Sequence, residues 1–314
     1  MNLRKSIFYI CMVFSLVLFV EGVFTILNFT KTDNINLTKE NENNYHNRQI
    51  VRNIYKEGDY PEYINLLAMG LDESEDRSDG IMLINFHPKS GKVNILSIAR
   101  DTMVKLNNGR RSKINALIGM GGEAKIIEKV EELIGMPVHY YLTMNFEGFR
   151  EVIDLLDGVE IDVPFDMKYD DPYQNLYIRL NKGKQILDGE KAEQYLRYRK
   201  GNRVGEGYVD GDMGRIKTQQ QFINEFIKQK LKLKYLLKIG DIFFIIKNNV
   251  TTNIEIGDFN YYLSTIKKID TDKINFFTLP GHDEYIDNQY YYIYDEEKTK
   301  EIIKNNFNLI SLEE

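Results

Sequence analysis

Strand and helix patterns alternate regularly between Pro61 and Pro164, and this alternation constrains the fold more than any other feature of the sequence. Apolar positions at helical spacing predict helices over 124–134 and 146–156, and Gly135 follows the first of these where a C-terminal cap belongs. Short apolar runs bounded by turn residues predict strands at 64–69, 81–86, 93–98, 138–144 and 159–164. Interleaved strands and helices predict an α/β protein with a layered α-β-α architecture. The turn HPKSGK joins the second and third strands as an antiparallel hairpin, so the central sheet is predicted to be mixed.

The N-terminus contains an apolar run that is long enough to cross a membrane. Residues 7–29 are mostly apolar, and at a rise of about 1.5 Å per residue they can span a hydrocarbon core of about 30 Å. A cleaved signal peptide needs small residues at its cleavage site, but the first alanine of the chain is Ala68. We therefore predict an uncleaved signal-anchor transmembrane helix at 1–29, and cleavage at Gly22 is the alternative. The short head before this single span predicts that the large domain is extracytoplasmic.

Composition limits the rest of the chain to one large domain behind a spacer. Residues 30–60 are polar and asparagine-rich without a sustained period, which predicts a stalk, and the packed domain then covers 61–314. An apolar content of 43% is enough for one large core. A net charge of −6 argues against nucleic acid as a partner, because phosphate contacts need a basic surface. The single cysteine, Cys11, lies in the predicted anchor, so the domain has no thiol to oxidise, which suits an exterior location.

Acidic residues concentrate in the segment GLDESEDRSDG, between the first two predicted strands. Asp72 and Asp79 lie at the two junctions between loop and strand, and strand ends are where α/β sheets bind ligands. Two carboxylates without histidine or cysteine provide the oxygen ligands that hard cations prefer. We therefore predict Mg²⁺ held by Asp72 and Asp79 and bridged to phosphate oxygens. A solvated acidic loop is the alternative interpretation.

Arginines end several predicted elements of this acidic protein, which indicates a site for a polyanion such as a diphosphate. They are Arg77 in the acidic loop, Arg100 beside Asp101 after the third strand, and Arg197, Arg199 and Arg215 farther along the chain. Arg197 and Arg199 end a predicted helix that Asp188 caps. Because residues two apart on a helix point to nearly opposite sides, both arginines can serve one site only if this helix stops near Tyr198.

A long helix beginning near Arg215 offers a second group of hydrogen-bond donors. Arg215 and Gln219 are one turn apart and share a face, and the free backbone N–H groups of a first turn also favour an anion. This arrangement predicts a phosphate-binding corner. The alternative is a helix capped by Asp212 whose polar residues are simply solvated.

Seven segments of the sequence together resemble the LytR-CpsA-Psr family. In chain order they are GLDESEDRSD, NILSIARDTMV, KINA, NFEGFREVIDLLDGVEIDVP, DDPYQ, LDGEKAEQYLRYR and GDMGRIKTQQQF, and the match extends from about Asn65 to Phe226. Three positions depart from the family pattern. Ala99 stands where proline is usual, Gly80 replaces a hydroxyl residue, and Thr218 stands where arginine is frequent.

This resemblance implies a membrane-anchored phosphotransferase on the outer face of the cytoplasmic membrane. Such an enzyme moves an anionic glycopolymer, for example wall teichoic acid or capsule, from a polyprenyl-pyrophosphate carrier to peptidoglycan and forms a phosphodiester. Asp72 and Asp79 match the magnesium-associated aspartates of the family. The pyrophosphate-binding positions that the resemblance implies are Arg77, Arg100, Lys113, Arg197, Arg199, Arg215 and Gln219.

The chemistry of such a transfer predicts further roles. Phosphoryl transfer depends mainly on positioning and charge neutralisation, so Arg100 and Arg197 are expected to act as catalytic groups together with Mg²⁺. The acceptor, expected to be the C6 hydroxyl of N-acetylmuramic acid, must lose a proton, and either Asp79 or Asp101 could accept it. Two alternatives remain open. One is a polyprenyl-pyrophosphate pyrophosphatase, in which water attacks, and the other is a non-enzymatic, membrane-tethered sensor of lipid-linked sugars.

Overall fold

A computed structural model describes residues 63–172, 176–203, 205–208, 212–230, 249–254, 269 and 271–307. The predicted anchor at 1–29 and the predicted stalk at 30–60 lie outside these residues. Within the described ranges, no helix combines the length and the apolar content that are needed to cross a membrane.

Strands and helices alternate along the described chain. The strands are β1 (Ile64–Leu71), β2 (Ser78–Phe86), β3 (Val93–Ile98), β4 (Met103–Lys105), β5 (Arg111–Lys113), β6 (Tyr140–Met144), β7 (Val159–Val163), β8 (Met167–Asp171), β9 (Leu176–Leu180), β10 (Gly183–Leu187), β11 (Val250–Thr252), β12 (Ile274–Thr278), β13 (Gly281–Ile286) and β14 (Gln289–Tyr294). The α-helices are α1 (Leu117–Ile134), α2 (Phe146–Leu155), α3 (Gly189–Arg197), α4 (Asp212–Lys230) and α5 (Glu296–Ile302).

Six of the strands form one central sheet in the order β11-β6-β1-β2-β3-β12. β1, β2 and β3 pair antiparallel in sequence, whereas β6 runs parallel to β1 and β12 runs parallel to β3. The sheet is therefore mixed, as the sequence predicts. The predicted turn between β2 and β3 is also present, closed by the hydrogen bond from the His87 N–H to the Lys92 carbonyl at 3.0 Å.

The first two strands are longer than predicted at the end that carries the acidic loop. β1 continues to Leu71 and β2 begins at Ser78, and these two residues pair across a bulge that follows Gly70. Backbone pairing continues here because it does not depend on the charge of the side chains that point away from the sheet. As a result the loop itself contains only residues 72–77, and Asp79 lies within β2.

α1 begins earlier than the helical spacing predicts and is interrupted. It begins at Leu117, and its backbone leaves helical geometry at Gly121 and Gly122 before the regular part continues. Gly122 has a φ of 66°, a left-handed conformation that glycine adopts at little cost. The predicted cap is confirmed: Gly135, with a φ of 68°, donates its N–H to the Glu131 carbonyl.

Helices contact both faces of the central sheet. Ile126 and Val130 of α1 are fully buried in one apolar cluster with the sheet residues Leu67 and Leu83. On the opposite face, Gln220 of α4 donates hydrogen bonds to the Ser97 hydroxyl at 3.0 Å and to the Phe277 carbonyl at 3.0 Å. The mixed α/β fold with a central mixed sheet is therefore confirmed. The N-terminal helix that was predicted before it lies outside the described residues.

A second apolar cluster lies beside the central sheet and holds α3. It combines residues of α2, β7, β8, β9 and β10 with Tyr195 and Tyr198 at the end of α3 and Phe222 of α4. Tyr195 and Tyr198 are almost completely buried. The aromatic side chains at the end of α3 are fixed in this cluster. The backbone of the adjacent Arg197 and Arg199 is therefore held in a rigid position.

A ladder of four asparagines, three of them buried, crosses the sheet at the end opposite to the acidic loop. Asn65, Asn85, Asn94 and Asn275 are successive partners in the register of β1, β2, β3 and β12. Side-chain amides join them, at 2.8 Å from Asn85 to Asn65 and 3.0 Å from Asn275 to Asn94. His139 accepts the Asn65 backbone N–H at 2.9 Å, and burial lowers its pKa to about 4. A satisfied polar network of this kind fixes the register of the strands.

Candidate functional site

The acidic loop is a closed turn that two helices hold in place. The Asp72 N–H donates to the Arg77 carbonyl at 2.9 Å, and the Asp72 carboxylate accepts from the Arg77 N–H at 3.2 Å. Gly119 in the first turn of α1 donates to the Asp76 carbonyl at 3.1 Å. Asn145, the N-cap of α2, donates to the Glu75 carboxylate at 3.1 Å. The loop between β1 and β2 therefore presents its charged side chains from a defined backbone.

Two predicted acidic residues and two predicted cations form one chain of ion pairs. Arg100 donates to Asp79 at 2.6 Å, its Nε lies 4.0 Å from Asp101, and Lys113 contacts the other Asp101 oxygen at 2.8 Å. All four side chains are 24% to 32% exposed. At this partial burial such pairs are stronger than surface pairs, yet the groups remain accessible to a ligand.

A cavity of about 490 Å³ opens beside this chain of ion pairs, and we call it the basic cavity. Its lining contains four cations against two carboxylates, and its far wall is formed by β13 and β14. The lining residues are Arg77, Ala99, Arg100, Asp101, Lys113, Asn115, Arg199, Met213, Asp283, Gln289, Tyr290, Tyr291 and Tyr292. Arg77, Arg100, Lys113 and Arg199 come from four separate segments of the chain, so the fold gathers cations that the sequence disperses.

The two arginines predicted at the end of α3 line different cavities. The side chain of Asp188 caps this helix as predicted, and the helix ends at Arg197 because Tyr198 is extended, with a ψ of 128°. The requirement that the helix stop near Tyr198 is met. The two arginines nevertheless do not share one cavity: Arg199 lines the basic cavity, and Arg197 lines a neighbouring one.

The neighbouring cavity has about 930 Å³ and contains eight carboxylates against two arginines, so we call it the acidic cavity. Its lining residues are Asp72, Glu73, Glu75, Asn145, Phe146, Glu147, Arg150, Glu151, Asp154, Leu176, Tyr177, Glu190, Glu193, Gln194 and Arg197. Glu193, with a side chain only 8% exposed, accepts from Arg197 at 2.7 Å and from Arg150 at 2.5 Å. The Arg197 guanidinium also lies 4.6 Å from the centre of the Phe146 ring. This clamp was not predicted, although the i,i+4 spacing of Glu193 and Arg197 was a sequence signal for half of it.

The predicted phosphate corner at the start of α4 is buried. Arg215 is 6% exposed and lies outside the linings of the two cavities, as does the half-buried Gln219. Thr218, which stands where the family often has arginine, is buried and donates back to the Gly214 carbonyl at 3.1 Å. This hydroxyl also lies 2.8 Å from the Tyr208 hydroxyl, so the hydrogen bonds of Thr218 are made within the protein.

The described residues contain no group of three or more His, Cys, Asp and Glu side chains that could hold a metal ion. Asp72 lines the acidic cavity, whereas Asp79 is engaged by Arg100. The magnesium site predicted at these two aspartates therefore stays a prediction.

Two hydrogen bonds from Tyr292 hold the far wall of the basic cavity in place. The Tyr292 N–H donates to the Asp101 carbonyl at 2.9 Å, and the Tyr292 hydroxyl donates to the Leu279 carbonyl at 2.7 Å. Burial, and to a lesser degree the charge of Asp283, raises the pKa of Tyr292 to about 12, so this phenol stays protonated. β14 was not among the predicted site elements, because only the fold brings this strand beside Asp101.

Known proteins resemble this chain over most of its length. The LytR_cpsA_psr family profile matches residues 23–308 of this chain. The polyisoprenyl-teichoic acid–peptidoglycan teichoic acid transferase TagV of Bacillus subtilis (strain 168) is 32% identical over 239 residues, which cover 73% of this chain and 60% of TagV. The transferase TagU of the same organism is 31% identical over 244 residues, which cover 76% of each protein. The chain thus spans less than two thirds of TagV but about three quarters of TagU.

Solved structures share the fold. The crystal structure of B. subtilis TagV superposes with a TM-score of 0.66 at 30% identity and covers 81% of this chain and 98% of that chain. The structure of B. subtilis TagU gives a TM-score of 0.56 at 30% identity and covers 78% and 95%. A structure of TagT bound to LI-WTA is similar in fold, with a TM-score of 0.61 at 23% identity over 80% and 91%. The ordered motifs and the mixed sheet agree with these matches, and the chain belongs to the LytR_cpsA_psr family.

Proposed function

We propose that this chain is a phosphotransferase that moves an anionic glycopolymer from a polyprenyl-pyrophosphate carrier to peptidoglycan. The product is a phosphodiester between the polymer and the wall, and wall teichoic acid and capsule are the polymer classes that fit. The names of TagV and TagU as teichoic acid transferases support this activity. TagT, seen bound to LI-WTA, supports the polymer class.

The observation that carries the proposal is the convergence of four cations on the basic cavity. Arg77, Arg100, Lys113 and Arg199 surround a volume of about 490 Å³ in a protein whose net charge is −6. Guanidinium groups bind phosphate oxygens in planar pairs, and their charge offsets the repulsion between the phosphates of a diphosphate. Cations that converge on one cavity repel each other, and an anion bound among them relieves that repulsion.

The transfer itself requires one bond to form and one to break. The acceptor hydroxyl oxygen attacks the phosphorus that carries the polymer, and the bond from this phosphorus to the bridging diphosphate oxygen breaks. The electron pair leaves with polyprenyl phosphate, whose growing charge the arginines of the basic cavity stabilise. Of the two predicted bases we assign the proton to Asp101, because Asp101 lines the basic cavity and Asp79 does not.

The carboxylates of Asp72 and Asp79 are chemically suited to hold a magnesium ion. Mg²⁺ usually takes one or two carboxylates together with water and substrate phosphate oxygens, so a pair of aspartates is a sufficient protein contribution. Asp79 keeps 32% of its side chain exposed even while it pairs with Arg100. We propose that Asp72 and Asp79 hold the ion. When bound, it would add positive charge at the phosphate oxygens.

We also propose that the chain works at the outer face of the cytoplasmic membrane, anchored by residues 1–29. The apolar run at 7–29 supports this location, because the lipid carrier is itself a membrane molecule. Fractionation of cells, followed by protease treatment of intact protoplasts, tests it. The proposal requires that the chain stay with the membrane and that the domain after the anchor be cleaved.

Product analysis tests the activity. The purified full-length chain is incubated with a synthetic lipid-linked teichoic acid precursor, peptidoglycan and Mg²⁺, and the polymer bound to peptidoglycan is quantified. The proposal expects peptidoglycan-bound polymer and free polyprenyl phosphate. Release of polymer phosphate without peptidoglycan, at an undiminished rate, would instead identify a pyrophosphatase. Tight binding of the precursor without any product would identify a sensor.

Chelation gives a separate test of the metal. Removing Mg²⁺ should abolish transfer, and restoring it should recover the rate. Transfer at a normal rate without magnesium would remove the metal from the proposal without affecting the assigned activity.

A further inference from the structure

The hairpin of β13 and β14 carries features that phosphate binding does not explain. Its two strands pair over six positions and turn through Asp287 and Asn288, both with positive φ, as in a tight two-residue hairpin. The Tyr292 N–H fixes β14 to the Asp101 carbonyl at 2.9 Å. The hairpin is therefore a rigid wall of the basic cavity.

Two exposed tyrosines lie side by side on this wall. Tyr285 and Tyr290 are direct partners in the strand register, and their ring centres are 4.8 Å apart. They are 57% and 67% exposed, so both rings are open to solvent. Tyr290 also lines the basic cavity, so this aromatic surface continues into it. Adjacent exposed aromatic side chains at the edge of a cavity mark a contact surface for a ligand.

We propose that this hairpin binds the acceptor glycan, a chain of uncharged N-acetylated pyranose rings, by stacking it on Tyr290 and Tyr285. This inference rests on the function proposed above and names the subsite for its second substrate. A pyranose ring has an apolar face that packs on an aromatic ring, and its hydroxyls need polar partners. Asp283 and Gln289, which line the same wall, supply an acceptor and an amide.

Charge decides between the acceptor glycan and the donor polymer as the occupant. The hairpin carries Asp283, Glu284 and Asp287; within the described residues Asp287 pairs with Arg111 at 3.1 Å, and Glu284 lies 3.7 Å from His282, which is charged only when protonated. A teichoic acid repeats a negative phosphodiester along its length and would be repelled by these carboxylates. An uncharged glycan is not repelled. The donor is therefore matched to the cations of the opposite wall, and the acceptor to the hairpin.

The position of the hairpin also suits delivery of a hydroxyl to the proposed base. The backbone bond from Tyr292 to Asp101 joins the wall to the residue that accepts the proton. The Lys113 ammonium lies 5.9 Å from the centre of the Tyr291 ring on the same strand. Lys113 also pairs with Asp101. A sugar stacked on Tyr290 thus lies on the same wall as the groups that orient Asp101.

Two measurements on the full-length chain test the proposal. The first is sedimentation with insoluble peptidoglycan from which attached polymers have been stripped, in the absence of lipid-linked donor. The second is the transfer rate as a function of peptidoglycan concentration. Tyr290→Ala should weaken binding about tenfold, as removal of a central aromatic contact does, and should raise the KM for peptidoglycan by a similar factor with little change in the KM for the donor. Tyr290→Phe keeps the ring and should stay within about twofold of the native chain.

Controls and outcomes separate this proposal from the proposed function. Ile186→Ala is a matched control, because Ile186 is 63% exposed on β10 and lines neither cavity; it should change nothing. Tyr285→Ala is a second variant on the same surface and should also weaken binding. If the native chain transfers polymer but Tyr290→Ala and Tyr285→Ala keep the native KM for peptidoglycan, the hairpin subsite is wrong and the function stands. If the native chain transfers nothing but these variants still lose binding to peptidoglycan, the function is wrong and the subsite stands.

Discussion

The basic and acidic cavities draw residues from the same loop and the same helix end, yet they have opposite charge. The basic cavity has four cations and two carboxylates around about 490 Å³, whereas the acidic cavity has two arginines and eight carboxylates around about 930 Å³. A diphosphate would be attracted to the first and repelled from the second. The smaller cavity is therefore the better phosphate site, which the number of conspicuous carboxylates in the sequence would not suggest.

Local backbone geometry produces this separation. Within the acidic loop, Asp72 faces the acidic cavity and Arg77 the basic one. At the end of α3, the extended conformation of Tyr198 sends Arg199 to the basic cavity while Arg197 stays against Glu193. In each of these short segments neighbouring residues point in different directions, so one segment contributes charged side chains to both cavities. The comparison predicts that equivalent substitutions in the two cavities will have unequal effects.

Removing one arginine from each cavity is the strongest test and should have the largest effect. Arg100→Ala deletes a cation that pairs with Asp79 and lines the basic cavity. We expect kcat/KM for transfer to fall by about 10² to 10³, the usual loss when one donor to a developing charge is removed. Arg150→Ala, in the acidic cavity, should cost less than about tenfold because it acts only through Glu193.

Steady-state transfer assays at saturating peptidoglycan measure both changes. Arg179→Ala is the control, because Arg179 is 52% exposed, pairs with Asp170 and lies outside both linings. Equal losses for Arg100→Ala and Arg150→Ala would break the comparison and show that the two cavities act as one site.

The Glu193 clamp gives the next largest effect, this time on stability. Glu193→Gln replaces a buried carboxylate that accepts from Arg150 and Arg197. Two guanidiniums then lose the charge of this carboxylate, one of them on a side chain only 15% exposed. We expect the free energy of unfolding to fall by about 2 kcal/mol, measured by urea titration. Glu190→Gln, on an exposed position of the same helix, should change it by less than about 0.5 kcal/mol; equal losses would show that the clamp adds no stability.

Acid should destabilise the fold from the end of the sheet that lies away from both cavities. His139 has a folded pKa of about 4, lowered by burial, against an ordinary value of 6.5. The unfolded chain therefore binds more protons between these values, and the free energy of unfolding should fall as pH drops below about 6.5, by about 2 kcal/mol at pH 5. Urea titrations at pH 7 and pH 5 measure this loss. If His139→Gln retains the full loss, the loss does not come from His139 and the prediction is wrong.

Sequence patterns predicted the local part of this structure well. β3 has the predicted bounds, α3 stops where its two arginines require, and the caps at Asp188 and Gly135 are present. These features depend on residues within a few positions of each other, whose spacing and propensity are visible in the sequence. The family was also identified correctly, because its motifs occur in order along the chain.

Features that depend on register or on distant pairing were not predicted. The asparagine ladder needs the register of four strands, and the Arg150–Glu193 pair joins two helices. The division of the predicted arginines between two cavities depends on which way each backbone segment turns. Arg215, predicted at a phosphate corner, is buried in the first turns of α4, because helical periodicity shows which residues share a face but not what that face meets.

The smallest predicted effect comes from weakening the acidic cavity alone. Glu147→Gln removes one exposed carboxylate that lines it. If this cavity only repels the anionic donor, the KM for donor should fall by about twofold in about 0.1 M salt, where charges act over about 10 Å. In about 1 M salt, where this range is about 3 Å, the difference should disappear. A rise in the KM for donor that magnesium reverses would contradict this expectation, because Glu147 would then help the proposed Asp72 and Asp79 pair to hold the cation instead of only repelling the donor.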